Sequence, residues 1–237
     1  ITTTIEHPAV TEVCRYLQSE GFEVSYLEVD EFGMVDPVNL EHAIRSDTIL
    51  ISIMHANNEV GTIQPVKQLA EIAKKHGILF HCDVAQSLGK ISVNVEDIGV
   101  DLLSIAGHKL YAPKGIGALY VRRGINLEKL IHGADHEMDR RAGTENILEI
   151  VGLGKACAVA GRDLKTNAFR MKETRDLLFE KLQQALPDAK RNGHPVECLP
   201  NTLSLSFPGV EANTLLSELN QVAASAGAAC HTDSIDI

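Results

Sequence analysis

The sequence predicts an α/β fold: a mostly parallel sheet with helices on both faces. Short apolar runs alternate with amphipathic stretches from Ile1 to Val121. Several of those runs are followed at once by polar or ionisable residues, as the carboxyl ends of strands in an open sheet are. The length of 237 residues, with 44% hydrophobic and 23% charged, supplies a sizeable core with room for part of a second domain.

Each element has its own signal. Ile1–Ile5 is β-rich. Pro8 then opens a segment with apolar residues at Val10, Val13, Cys14 and Leu17, the spacing of one helix face, and Gly21 stops it. Phe22–Val29 alternates as a strand does. Asp36 followed by Pro37 is an N-cap with proline at the first helical position, starting a short helix through Ile44. Thr48–Met54 is nearly continuous in apolar residues, the pattern of a strand buried on both faces. Val66, Leu69, Ile72 and Ala73 mark a helix ending at Gly77. Ile78–Phe80, Val100–Ala106 and Ile116–Val121 read as further buried strands. From Asn146 helical pattern dominates to Ala185, and Asn201–Phe207 then alternates as a half-buried strand. A boundary near Gly161–Lys165 divides a large domain, 1–163, from a partial, smaller α+β domain, 164–237.

Charge narrows the partners. Asp plus Glu exceed Lys plus Arg to give −10, without a basic run, so nucleic acid and anionic membrane are excluded as partners. No apolar stretch reaches the ~18 residues of a membrane helix. Five cysteines, an odd number without a C-x-x-C pair, do not make a disulfide framework. A reducing, cytoplasmic setting is expected, with a targeting segment ahead of Ile1 left open.

The residues after the apolar runs collect the chemistry. Glu6-His7 follows the first run, and His55-Ala56-Asn57-Asn58-Glu59 follows Thr48–Met54. His81-Cys82-Asp83 and Gln86 follow Ile78–Phe80, and Gly107-His108-Lys109 follows Val100–Ala106. A strand-end lysine can form a Schiff base, and an aspartate on a neighbouring strand can pair with a pyridinium nitrogen, the demands of pyridoxal phosphate. Gln86 suits the phenolic oxygen of that cofactor, and His7 suits its ring face. Lys109 and Asp83 alone fit a structural role equally well; Asn58, Gln86 and His7 tilt the balance to the cofactor.

The segments EHPAVTEVCRYLQSEGFEVSYL, MHANNEVGTIQP, HCDVAQSLGK, GHKLYAPKGIGALYVRR, RAGTEN and SAGAACHTD resemble the cysteine desulfurase and selenocysteine lyase family. These are fold-type I pyridoxal-phosphate enzymes of aminotransferase class V, and the resemblance runs from Ile1 to Asp233. It implies that Lys109 is the Schiff-base lysine, Asp83 the pyridinium partner and Gln86 the residue at the phenolic oxygen. It implies His7 as the stacked, acid–base histidine, Asn58 near the cofactor oxygen and substrate carboxylate, and His108 as a phosphate contact. Thr144 matches a threonine that reaches the partner subunit's phosphate in a homodimer, and Cys230 the loop cysteine that takes sulfur from substrate. The implied reaction removes sulfur from L-cysteine, leaving L-alanine and a persulfide for a sulfur acceptor or iron–sulfur scaffold protein. Selenium release from L-selenocysteine is the alternative; a class-V aminotransferase or a non-catalytic homologue is the more distant one. Ala106 departs from a phosphate-binding serine common among relatives, and HGADHE departs from a glycine-rich form. Relatives also carry an N-terminal phosphate loop that would precede Ile1 and a substrate-binding arginine that would follow Ile237.

Other signals read as structure. Cys14, Cys82 and Cys157 sit in apolar patterns and are expected to pack, while Cys198 has no pattern around it. His81 to Asp83 alternates along a strand, and Gly133 interrupts His132 to His136, so neither supplies the convergent ligands of a metal site, and none is expected. Gly115-Ile116-Gly117 and Gly152-Leu153-Gly154 are incomplete as dinucleotide fingerprints.

Overall fold

The computed structural model describes residues 1–219 and 221–227. β1 (Thr2–Thr3) is followed by α1 (Pro8–Ser19), β2 (Tyr26–Leu27), α2 (Pro37–Ala43) and β3 (Leu50–Ser52). Next come α3 (Val66–Lys75), β4 (Leu79–Asp83), α4 (Val95–Ile98) and β5 (Leu102–Ala106). A 3₁₀ turn over Gly107–Leu110 leads into β6 (Gly117–Val121). Then follow α5 (His136–Asp139), α6 (Ile147–Ala185), β7 (Lys190–Arg191), β8 (Leu205–Ser206) and α7 (Ala212–Glu218).

The central strands β3, β4 and β5 pair in parallel, and β6 closes the sheet antiparallel to β5. β1 and β2 form a parallel pair that joins the sheet beside β3. The Ile1 nitrogen donates to the Leu50 carbonyl at 2.9 Å, and the Ser52 N–H donates to the Ile1 carbonyl at 2.9 Å. Alternation along the strands separates two faces. Ile51, Phe80, Cys82 and Leu103 turn toward one core with Leu40 of α2, Leu69 and Ala73 of α3 and Ile98 of α4. The cap predicted for α2 is in place: the Asp36 carboxylate accepts from the Val38 N–H at 2.8 Å, ahead of Pro37.

The other face differs from what the apolar runs imply. Leu50 is 37% exposed while its neighbour Ile51 is fully buried, so β3 is not buried on both faces. Ser52, His81 and Ser104 occupy this second face, where they hydrogen-bond to one another rather than pack in oil. Among the described residues β6 pairs with β5, and its Leu119 is 50% exposed. α1 forms with the expected bounds but buries none of its residues fully, and Cys14 is only half-buried. Cys82 is buried as expected, Cys157 is half-buried, and Cys198, which no pattern marked, is buried. Asn201–Phe207 pairs as strand only at Leu205–Ser206. The segment 161–165, read as a boundary, lies within α6.

Phe80 is 1% exposed at the centre of this core. Truncation to alanine removes a fully buried ring and leaves a cavity, so Phe80→Ala is expected to cost about 3–5 kcal/mol. Leu119→Ala, on the exposed face of β6, is expected to cost under about 1 kcal/mol. Urea denaturation of the two variants checks which face carries the core; equal losses would contradict the assignment.

Candidate active site

The sheet delivers its polar groups to one rim because parallel strands end on the same side. Asp83 is the last residue of β4, and the Lys109 turn begins directly after β5. The ladder continues past β3, where the His55 N–H donates to the Asp83 carbonyl at 2.8 Å. Asp83 commits one carboxylate oxygen, Oδ1, to the Ala85 N–H at 2.8 Å. Its Oδ2 has no hydrogen-bond partner among the described residues and stands available to a ligand. Gly107 places the turn: a Cβ there would meet the Ile116 carbonyl oxygen at 2.6 Å, so only glycine allows the close approach of β6 that sets His108 and Lys109 at the strand end. Both side chains are exposed. Lys109 makes neither ion pair nor hydrogen bond among the described residues.

His7 serves two local functions. It is the N-cap of α1, accepting the Ala9 N–H on Nδ1 at 3.1 Å, with Pro8 at the first helical position. That acceptor role puts the proton of the neutral ring on Nε2. Asn57 and Asn58 divide their work. Asn57 is buried; its amide donates to the Ile5 carbonyl at 3.2 Å, and its Oδ1 accepts the N–H groups of Glu59 at 2.9 Å and Val60 at 3.0 Å. Asn58 is half-buried and keeps its amide uncommitted among the described residues. Both line a cleft of about 620 Å³, together with Glu6, Lys190 and Arg191.

Gln86 accepts from the Lys90 ammonium at 3.3 Å on its side-chain oxygen and at 2.7 Å on its carbonyl. Burial, and then the charge of Lys109, hold Lys90 below the usual lysine range. Lys90 and Lys109 therefore share one neighbourhood. Thr144 is exposed in the loop before α6, beside the Gly143 carbonyl that accepts from Arg141 at 2.8 Å. Cys230 lies outside the described residues.

Some polar groups of the rim carried no role in the sequence reading. Glu6 is 6% exposed. Its Oε1 accepts from the Thr3 hydroxyl at 2.8 Å and the Met54 N–H at 2.9 Å, while its Oε2 is buried without a partner. Burial pushes its pKa up to about 7, and Asp83 acts in the same direction. His55 is buried with Nδ1 unpartnered, and burial lowers its pKa to about 4, which keeps the ring neutral. His81 lies between Ser52, with Nδ1 and Oγ 2.8 Å apart, and Ser104, with Nε2 and Oγ 2.8 Å apart. This crossbar spans three strands one pleat below Asp83. The available signal was the recurrence of Ser52, His81 and Ser104 inside otherwise apolar runs. Among the described residues no group of three His, Cys, Asp or Glu side chains could hold a metal ion.

An uncommitted amine, a carboxylate with one open oxygen, an imidazole edge and an open amide suit an aldehyde-bearing pyridine such as pyridoxal phosphate. Lys109 would hold the aldehyde carbon, Asp83 the ring nitrogen, and His7 and Asn58 the periphery.

Comparison with known proteins shows the family of the chain. The aminotransferase class-V family profile matches residues 1–236. A protein of Dictyoglomus turgidum named cysteine desulfurase IscS is 47% identical over 238 residues, 100% of this chain and 60% of its own. A cysteine desulfurase IscS of Methanosarcina thermophila is also 47% identical, over 100% of this chain and 59% of its own. Among solved structures, a NifS-like protein superposes with a TM-score of 0.88 at 42% identity, covering 92% of this chain and 60% of the other. SspA in complex with cysteine superposes with a TM-score of 0.83 at 37% identity, over 97% of this chain and 64% of the other. The chain thus spans about 60% of the length of the curated relatives it matches. With a parallel sheet, a strand-end lysine and an aspartate one strand away, and a family match over nearly its whole length, this chain belongs to the class-V aminotransferases.

Proposed function

We propose that this chain carries the cofactor rim of a pyridoxal-phosphate-dependent cysteine desulfurase, which converts L-cysteine to L-alanine and hands on the sulfur. The observation that carries the reading is the pairing of Lys109 and Asp83 at adjacent strand ends, each with a functional atom uncommitted. The names of the relatives support cysteine as substrate. When bound, pyridoxal phosphate supplies an electron sink for the pair released at the substrate α-carbon.

The chain's own residues do the rest. Lys109 would hold the aldehyde carbon, and its amine, once free, would take the substrate α-proton; His7, with its proton on Nε2, would serve beside it as the acid partner. Asp83 holds the ring nitrogen protonated through Oδ2. Asn58 offers its open amide to the substrate carboxylate, Gln86 its side chain to the phenolic oxygen, and His108 its imidazole to the phosphate. Cys230 as thiolate attacks the substrate γ-sulfur; the S–S bond forms, the carbon–sulfur bond breaks, and its electron pair remains on carbon, which a proton then completes as alanine. A thiol of ordinary pKa, ~8.5, is only a few per cent ionised at neutral pH, so this step gains from a neighbouring base, and His231 is adjacent in sequence. A free thiol suits a reducing, cytoplasmic compartment.

We place residues 1–163 in a cofactor domain and 164–237 in a smaller domain. We further assign a second copy of this chain as partner, with Thr144 reaching the other subunit's phosphate. The exposed Leu130, Met138 and Leu148 are the apolar surface it would cover. A sulfur acceptor, such as an iron–sulfur scaffold protein, would receive the persulfide. L-Selenocysteine is the second substrate we assign: GAACH, with His231 after Cys230, resembles the selenocysteine lyases, and a selenol, more acidic and more weakly bound to carbon than a thiol, can leave without a protein thiol.

Borohydride reduction of the cofactor-loaded protein, followed by peptide mapping, is expected to place the pyridoxyl adduct on the Lys109 peptide. An adduct on Lys114, or its retention in Lys109→Ala, would overturn the assignment.

Cys230→Ala is expected to abolish alanine release from cysteine while sparing much of any release from selenocysteine. Cysteine turnover that survives this change would exclude the persulfide route.

A further inference from the structure

We propose that Glu6 is a positioning residue of this rim that carries a proton on Oε2 on the acid side of neutrality, so that there Asp83 contributes the one carboxylate charge at the ring-nitrogen position. The inference rests on the cofactor reading above and extends it to a residue that reading does not use.

The geometry treats the two oxygens of Glu6 differently. Oε1 is held from two sides, by the Thr3 hydroxyl and the Met54 N–H. Both donors come from strand termini, β1 and the residues after β3, so the carboxyl cannot swing out to water without breaking the join between them. Oε2 is buried and receives nothing. An ionised oxygen deprived of both water and donor is strongly disfavoured, whereas a neutral carboxyl needs only to place its hydrogen there.

The charges around it agree. No lysine or arginine among the described residues forms an ion pair with Glu6. Asp83 on β4 presses toward the neutral form. Cys14 on α1 and Cys82 on β4 both feel the Glu6 charge, and burial holds both thiols in their neutral form. His55, which follows Met54, is itself held neutral and brings no positive charge. Of the groups that line the cleft, Glu31 and Glu59 repeat the sign of Asp83, and Lys190 and Arg191 carry the opposite sign without forming an ion pair with Glu6.

The consequence is a switchable second charge. Below neutrality Asp83 is the one negative group at the ring-nitrogen position. As pH rises through about 7, Glu6 loses its proton and adds a second negative charge near Asp83. That charge favours the protonated ring nitrogen, so the cofactor's electronic state becomes pH-dependent in a range where ordinary carboxyls have finished titrating.

Infrared spectroscopy with carbonyl-labelled glutamate tests the proton directly and needs no cofactor. Between pH 6 and 9 the wild type is expected to lose one protonated-carboxyl band, with a midpoint near 7, that Glu6→Gln lacks. Absence of that band at pH 6 would overturn the proposal. Thr3→Val, which removes a donor that favours the ionised form, is expected to raise the midpoint by about one pH unit. This variant keeps the test open should Glu6→Gln fail to fold; an unmoved midpoint would assign the band elsewhere and overturn the proposal. In the cofactor-loaded protein, the absorption spectra of wild type and Glu6→Gln are expected to coincide at pH 6 and to diverge above pH 7. Coincidence across the whole range would show that Glu6 does not act on the ring. A protein that shows the Glu6 band but takes no cofactor contradicts the function proposed above while leaving the protonated carboxyl demonstrated.

Discussion

Parallel pairing of β3, β4 and β5 decides where every chemically useful side chain sits. In parallel strands the carboxyl ends point the same way, so residues far apart in sequence meet at one edge of the sheet. The pairing of Asp83 with Ser104 puts the Lys109 turn just past the end of the strand beside Asp83. A shift of one residue would turn Asp83 into the apolar core and Cys82 toward the rim. Two devices hold the register. Phe80, Cys82 and Ile51 cannot leave the core without large loss of burial, and the Ser52–His81–Ser104 crossbar ties the same three strands on the opposite face.

The crossbar also shows how this face tolerates polarity. A neutral imidazole has one donor and one acceptor nitrogen, and a serine hydroxyl can supply either complement. All three groups are then satisfied without a net charge, and burial favours the neutral ring over the opposing pull of Asp83. The rim above it is built on the opposite principle: Asp83, Lys109, His7 and Asn58 each retain an atom that the protein leaves unused. Uncommitted groups at strand ends cost less than in the core, because water satisfies them until a ligand does.

Much of this was legible in the sequence, and the exceptions have physical causes. The strand–helix alternation, the Asp36-Pro37 start and the rim residues His7, Asn58, Asp83, Gln86 and Lys109 follow from local pattern, while the strands expected over Phe22–Val29 and Asn201–Phe207 shrink to Tyr26–Leu27 and Leu205–Ser206. Glu6 was visible as a strand-end acid, but its burial depends on Met54, 48 residues away. The separate duties of Asn57 and Asn58 were equally hidden, because adjacent asparagines differ only once the loop closes on Ile5. The placement of Lys90 beside Lys109 likewise comes from the meeting of two loops rather than from spacing.

The central claim is that Asp83 and Lys109, brought together by the sheet, form a site that keeps a pyridine nitrogen protonated. Nitrogen-15 magnetic resonance of the protein loaded with ring-labelled pyridoxal phosphate tests it most directly. A protonated ring-nitrogen signal at neutral pH in the wild type, lost in Asp83→Asn with the cofactor still bound to Lys109, is the result this account predicts. An unprotonated nitrogen in the wild type, or the same protonated signal in both proteins, would contradict it.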